Sequence, residues 1–265
     1  MLVSFPNLLY KNSSMIRSMV IRDLRARYMG SFLGLFWSVI HPLTQLLIYY
    51  FVFAVVLKMR LGPEYGGTSY ALWLIIGLLP WVFFAEGVTR APNAVLEQAN
   101  LIKKMVFPSE IFSIVHLTAA LINHLIAITI LIGFLLAVGH GISWKIFMIL
   151  PYLLSIGLLT TGISWLLSSL NVYLRDISQL IGVVVNIWFF LTPIIYPRDL
   201  IPESLRALFE LNPMLYIVDG YRMALLGKAE IDITGLAYLL IVSLAVFVLG
   251  ALTFKKLKPA FADVL

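Results

Sequence analysis

Residues 111–138 read IFSIVHLTAALINHLIAITILIGFLLAV and contain no Asp, Glu, Lys or Arg. Residues 146–170, IFMILPYLLSIGLLTTGISWLLSSL, are equally free of those charges, and only residues 139–145 separate the two stretches. Because about 20 mainly apolar residues cross a hydrocarbon core about 30 Å thick, each stretch is long enough to span a bilayer. The pair therefore predicts two membrane helices that form a tight hairpin.

The composition of the whole chain agrees with a lipid environment. Hydrophobic residues make up 61% and charged residues 12% of the 265 residues, whereas soluble domains carry about 25% charged residues. The net charge of +6 comes from cations at the ends of apolar stretches, which is typical of topology signals and not of a nucleic-acid-binding domain. The absence of cysteine excludes disulfides, thiolate metal sites and cysteine nucleophiles.

The predicted fold is an all-α polytopic membrane protein with six transmembrane helices. An amphipathic interface helix over residues 13–29 precedes them, because apolar residues recur there at three- and four-residue steps with arginines between them. A polar interval between Pro92 and Pro108 predicts a short helix over 94–107, outside the hydrocarbon core. The spans are predicted over 32–57, 70–88, 111–138, 146–170, 177–195 and 233–254.

The segment between the fifth and sixth spans alternates apolar and charged residues, so it cannot cross the bilayer as one helix. Pro202 suits the first position of a helix. Asn212 and Pro213 suit the cap and first residue of a second helix, which Gly227 would end. These signals predict a re-entrant or interfacial helical hairpin over 200–227, with each helix too short to span.

Lysine and arginine residues predict the orientation. If both termini lie in the cytoplasm, most of the 19 Lys and Arg residues fall on the cytoplasmic side, as the positive-inside rule requires. An even number of spans agrees with this arrangement. The expected location is the inner (cytoplasmic) membrane, crossed several times.

The sequence contains few of the residue patterns that a membrane enzyme would need. There is no Gly-x-Ser-x-Gly elbow, no His-Glu-x-x-His zinc motif and no phosphate-binding loop, so ATP hydrolysis is expected in another chain. His116 and His124 lie eight residues apart, too far along a helix to share one metal easily, and predict packing or hydrogen-bonding roles. Glu86 is open to two interpretations: a functional buried acid, or a helix-face ion pair with Arg90.

Aromatic residues are numerous for one helical bundle. They predict either an interfacial belt with lipid-facing packing or a sugar path, since aromatic faces stack on pyranose rings. The candidates for lining such a path are Trp37, Tyr49, Trp73, Trp81, Phe84, Trp165, Trp188 and Tyr196.

Four stretches together resemble a known family. The first is RDLRARY at 22–28 with Gly30-Ser31, Leu33-Gly34 and Trp37; the second is NLIKK at 100–104 with Phe107-Pro108. The third is 171–176, and the fourth is TPIIYP at 192–197 followed by Asn212-Pro213 and Tyr221-Arg222. In order and spacing they resemble the membrane subunit of ABC transporters that export O-antigen, capsular polysaccharide or teichoic acid.

The resemblance implies partners and an interface. A second copy of the chain would complete the channel, and two separate ATPase subunits would bind ATP and Mg²⁺, so no cofactor is expected in this chain. The helix at 94–107 corresponds to a coupling helix. The implied ATPase interface comprises Glu97, Asn100, Leu101, Lys103, Lys104, Arg175 and Asp176.

The resemblance also implies a gate and a substrate. The hairpin at 200–227 corresponds to outer gate helices, with Pro202, Asn212, Pro213 and Arg222 as gate residues. The substrate would be a polysaccharide linked to a polyprenyl diphosphate. Arg25 and Arg27 are candidates for attracting the diphosphate, because Arg matches phosphate geometry; an anchor for anionic lipids is the alternative.

Three other classes of protein stay open at this point. The nearest is an ABC exporter of another cargo, such as teichoic acid, capsule, a lipid or a drug. A secondary transporter would show internal duplication, and no repeat is obvious. A membrane-embedded glycan enzyme would need facing acidic or histidine pairs.

Overall fold

The computed structural model describes residues 7, 10–28, 36, 37, 40, 44, 47–59, 61, 62, 67–104 and 107–265. The predicted first span, 32–57, therefore lies partly outside the described residues. Its described end holds a short π-helix, Tyr50–Val56.

The described part of the chain is helical and contains no β-strand. Its helices follow one another along the chain as α1 (Ser13–Tyr28), α2 (Tyr70–Arg90), α3 (Asn93–Leu96), α4 (Ala99–Lys104), α5 (Glu110–Ala137), α6 (Ile149–Asn171), α7 (Ile177–Phe190), α8 (Glu203–Glu210), α9 (Pro213–Leu226), α10 (Ile233–Leu257) and α11 (Phe261–Val264).

Four helical stretches among the described residues are long and apolar enough to cross a membrane. They establish a multi-pass helical membrane protein. Two of them include short 3₁₀ segments: Trp144–Met148 leads into α6, and Lys258–Ala260 joins α10 to α11. The four stretches are Tyr70–Arg90, Glu110–Ala137, Trp144–Asn171 and Ile233–Val264.

The predicted fifth span, 177–195, is shorter in the structure. Helix α7 has 14 residues and ends at Phe190, which at 1.5 Å per residue is about 21 Å. Pro193 explains the end, since proline disfavours helical backbone in the residue before it and lacks an N–H donor. The count of six spans stays a prediction.

The described residues do not contain the single helix predicted over 94–107. Two short helices, α3 and α4, occupy this interval. The Gln98 N–H bonds to the Val95 carbonyl three residues back, which tightens the turn between them. The same turn directs the Glu97 carboxylate towards α5. The interval therefore forms a bent segment.

Helix α2 is at the centre of the fold. It packs against α5, α6, α7 and α9, and 61% of the residues in its most apolar part are buried, against 28% for Ile233–Val264. Close van der Waals packing between these helices is what fixes their positions, because lipid is as apolar as the protein core. The two ends of α2 consequently hold the two polar sites described below.

The backbones of helices α6 and α10 approach each other closely. A Cβ atom at Gly162 would lie 2.5 Å from the Val246 carbonyl oxygen, and one at Gly250 would overlap the Gly162 backbone. Glycine at both positions lets the two backbones touch, as small residues do in membrane helix pairs.

Candidate functional site

Four charged or titratable side chains meet beside the C-terminal end of α2, and we call Asp23, Arg90, Glu97 and His116 the polar junction. The two terminal nitrogens of Arg90 donate to the two carboxylate oxygens of Asp23, at 2.7 and 3.1 Å. Such a two-pronged bond between guanidinium and carboxylate fixes direction as well as distance. It attaches α1 to α2.

His116 extends the junction to α5 and to the turn after α3. Its Nδ1 lies 3.2 Å from Asp23 Oδ1 and its Nε2 lies 3.4 Å from Glu97 Oε2. The hydrogen bond from His116 lowers the pKa of Glu97 below its ordinary value, which keeps this carboxyl ionised. Four separate segments of the chain therefore meet through charged groups.

An apolar contact positions α1 for this junction. Val20 is buried against Ile111, Val115 and Ala119 of α5. The amphipathic pattern of α1 thus places its apolar side on α5, and Asp23 follows Val20 by three residues onto a neighbouring part of the same face.

An exposed surface lies beside the junction, and we call Asn100, Lys103, Lys104, Arg175 and Asp176 the docking surface. All five are exposed. Of the other residues predicted for the ATPase interface, Leu101 is half-buried, and Glu97 belongs to the polar junction while keeping 51% of its side chain exposed.

Asn171 ties the two parts of the docking surface to one end of the bundle. Its Nδ2 donates to the Pro92 carbonyl oxygen at 3.0 Å, and its Oδ1 accepts from the Ser178 N–H at 3.1 Å. The loop that carries Arg175 and Asp176 is thereby held at the start of α3.

The C-terminal part of the chain supports the same end. Lys258 Nζ lies 2.7 Å from Glu110 Oε2 at the start of α5. Phe261 is buried with Val95 and Trp165, and α11 packs against α4. Sequence reasoning missed Asp23, Asn171 and Lys258 as structural connectors, because the pairs they form are far apart in the sequence.

A second polar site lies at the N-terminal end of α2, where the predicted gate residue Arg222 is buried. Its Nη2 donates to the Ile194 carbonyl oxygen at 2.8 Å and its Nη1 to that of Pro193 at 2.9 Å. The guanidinium also lies 3.3 Å from the centre of the Trp73 ring. Gly77 leaves the necessary space, since a Cβ there would lie 2.5 Å from Arg222 Nη2.

Asn212 joins the hairpin to the end of α7. Its Oδ1 accepts from the Trp188 indole N–H at 2.8 Å and from the Met214 N–H at 3.0 Å. Its Nδ2 donates to the Leu191 carbonyl at 3.1 Å and to Thr192 Oγ1 at 2.9 Å. The other two gate residues flank the helices: Pro202 precedes α8, and Pro213 is the first residue of α9.

The eight aromatic residues predicted to line a channel divide by burial. A ring enclosed by its own chain offers no face to a passing substrate, so the buried rings pack the core in this conformation. These are Trp73, Trp81, Phe84 and Trp165, each 6% exposed or less. The prediction of a channel contact is kept for Trp37, Tyr49, Trp188 and Tyr196, which retain accessible surface.

The remaining candidates have structural partners. His124 Nε2 and the Tyr221 hydroxyl share a buried hydrogen bond of 2.8 Å. The described ranges contain no group of three or more His, Cys, Asp or Glu residues that could hold a metal ion. Arg25 is exposed on α1, and Arg27 lies in the same helix.

Comparison with known proteins defines the class of this chain. The model of the ABC-2 type transporter family matches residues 15–226. The chain belongs to the ABC-2 type transporter family and is a transporter membrane subunit.

Individual relatives cover nearly the whole chain. The O-antigen export system permease protein RfbA of Klebsiella pneumoniae is 31% identical over 246 residues, which are 92% of each chain. A protein of the same name from Myxococcus xanthus is 28% identical over 258 residues, or 96% of each chain. The polysialic acid transport protein KpsM of Escherichia coli is 22% identical over 250 residues, which are 92% of this chain and 94% of the relative.

Proposed function

We propose that this chain is the channel-forming permease subunit of an ABC exporter that moves an O-antigen-like polysaccharide, linked to polyprenyl diphosphate, across the inner membrane. Two copies of the chain form the channel, with six spans each and both termini in the cytoplasm. Two separate ATPase subunits bind ATP and Mg²⁺ and attach at the docking surface.

One observation carries this proposal: the docking surface is exposed while the residues behind it are fixed. Lys103 and Lys104 end α4 as two exposed cations, and α4 packs against α11. An exposed charged surface on a helix that is packed against its neighbour suits a partner that must bind this surface and displace it. The identity to proteins named O-antigen export permeases supports the cargo.

The alternative cargoes are ranked by the relatives. The relatives named for O-antigen export are 31% and 28% identical, whereas the one named for polysialic acid transport is 22% identical. An O-antigen-like glycan is therefore the cargo to test first, and capsule, teichoic acid, lipid and drug cargoes follow.

Reversal of the charges in Lys103→Glu/Lys104→Glu is expected to lower export at least about tenfold, because like charges brought together at an interface cost several kcal/mol. The measurement is surface glycan per cell, resolved by gel electrophoresis, together with the amount of ATPase subunit that co-purifies with the permease. Both quantities should fall while the amount of permease in the membrane stays unchanged.

Lys255→Glu/Lys256→Glu is the matched control. These two lysines are also exposed, lie in the last turn of another helix and have the same charge. The control therefore makes the same change to the number of positive charges that predicts orientation. Equal losses in both variants, or normal export in the first, would refute the assignment of the docking surface.

For the diphosphate we propose Arg25 and Arg27. Replacement of both by Gln is expected to lower export about tenfold without loss of the ATPase subunit, because a hydrogen bond to a charged group contributes about 1.5–3 kcal/mol. The double variant Lys11→Gln/Arg17→Gln removes the same charge from exposed positions nearer the N-terminus. An equal loss there would indicate general anchoring to anionic lipids.

A further inference from the structure

Resting on the proposed function, we propose that the polar junction transmits the movement of the docking surface to the membrane helices during ATP-driven export. Asp23, Arg90, Glu97 and His116 are positioning residues in this role. They do not touch the substrate. They hold the segment that the ATPase moves to the helices that must follow it.

The first argument is connectivity. The junction uses one side chain from α1, one from α2, one from the turn between α3 and α4, and one from α5. Each of its contacts joins two different segments: Arg90 to Asp23, His116 to Asp23, and His116 to Glu97. The turn therefore cannot shift along α5 without stretching the contact between Glu97 and His116, and His116 in turn lies against Asp23 of α1.

The second argument is the packing beside the junction. A cavity of about 170 Å³ lies between α1 and the turn, and its walls include Met19, Ala26, Gln98 and Phe112. Since this gap interrupts the close packing that usually transmits displacement, α1 is connected to the turn by polar contacts: through His116, which lies between Asp23 and Glu97, and through Arg22 Nη2, which lies 3.5 Å from Gln98 Oε1. The apolar contact of Val20 then keeps α1 on α5.

The third argument is burial. The side chains of Asp23 and His116 are only 12% and 11% exposed, and that of Arg90 is 31% exposed. Buried charges are costly, and apolar residues of similar size often give equal or greater stability. These directional contacts therefore suit the transmission of movement between segments better than a role in stability alone.

The test measures the glycan moved per ATP hydrolysed. Inverted membrane vesicles from the host carry the complete complex of permease and ATPase. The lipid-linked glycan extracted from the same strain is supplied at their outer face, which corresponds to the cytoplasmic side. Lumenal glycan and released phosphate are measured in parallel. ATP-dependent export by the native complex tests the proposed function separately, and its absence would reject that function before any variant is considered.

The Asp23→Asn variant keeps the size of the side chain and removes its charge. We expect normal assembly and ATP hydrolysis within about twofold of native, while glycan moved per ATP falls about tenfold, which corresponds to the loss of one hydrogen bond to a charged group. Asp263→Asn makes the same change at an exposed position of α11 and should leave the ratio at its native value.

The exchange of charges in Asp23→Lys/Arg90→Glu provides the decisive comparison, because it restores an ion pair between α1 and α2. Recovery of the ratio towards the native value supports transmission through this pair. A native ratio in Asp23→Asn, or a fall only in the amount of complex, would each overturn the proposal. No recovery in the exchanged variant would overturn the sufficiency of the Arg90 pair, because the exchange also removes the contact of Asp23 with His116.

Discussion

Replacement of Arg222 by Ala is expected to destabilise the protein by about 3–5 kcal/mol, because each buried carbonyl group left without its donor costs about 1–3 kcal/mol. The variant removes the donors that satisfy the carbonyl groups of Pro193 and Ile194. It also leaves Asp219 without the guanidinium 3.4 Å away. Because α9 packs on α2 at this point, the hairpin should detach from the bundle.

The measurement is the thermal midpoint of the purified protein in detergent, followed by size-exclusion chromatography. Arg222→Lys should be intermediate, since lysine keeps the positive charge but lacks the planar fork of donors that matches the carbonyls around Arg222. Arg206→Ala is the control: Arg206 is 52% exposed and its contact with Glu203 is 3.8 Å long, so it should change stability by less than about 1 kcal/mol. A midpoint for Arg222→Ala equal to that of Arg206→Ala would contradict the prediction.

Gly162→Leu is expected to separate α6 from α10 at a cost of about 3 kcal/mol or more, above the usual range for overpacking. The added Cβ would lie 2.5 Å from the Val246 carbonyl oxygen and 2.6 Å from the Phe247 backbone. Backbone atoms cannot rotate aside as a side chain can, so the whole helix must move. Separation would also loosen the cluster around Trp165, which packs against Phe247.

Gly157→Leu is the matched control for this substitution. Gly157 lies in the same helix, but no heavy atom lies within 4 Å of a Cβ built there. The control should retain native stability, or gain up to about 1 kcal/mol from the better helix propensity of leucine. Limited proteolysis and thermal midpoints should separate the two variants, and similar values for both would show that the close approach is dispensable.

Local chemistry explains which parts of the fold could be predicted from sequence. Pro213 and Gly227 bracket α9, because proline fits the first helical turn and Gly227 adopts a left-handed φ of 71° after the last residue. The boundaries of α5 lie within one residue of the uncharged stretch 111–138. Both signals act within a few residues of their effect.

Long-range pairing explains what could not be predicted. The four-residue spacing of Glu86 and Arg90 suggested an ion pair on one helix, but no local pattern indicates that the guanidinium of Arg90 also bonds to the carboxylate of Asp23, 67 residues away. In the same way, no local pattern relates Arg222 to the Trp73 ring that it covers.

The aromatic residues show a limit that is particular to membranes. Lipid and protein core are both apolar, so hydrophobicity alone does not separate a ring that faces lipid or a channel from one that packs inside. Trp165 is fully buried, with its indole N–H bonded to the Glu110 carbonyl. Trp188 keeps accessible surface, although both were equal candidates in the sequence.

Asn212 has a consequence for how this chain can diverge. Its amide accepts two hydrogen bonds and donates two. Aspartate lacks the donors, serine lacks the second donor, and glutamine places the amide one methylene too far to cap the helix. None of these single substitutions therefore keeps all four hydrogen bonds. Descendants that lose Asn212 should also have replaced Trp188 and Thr192, so these three positions should covary across evolution.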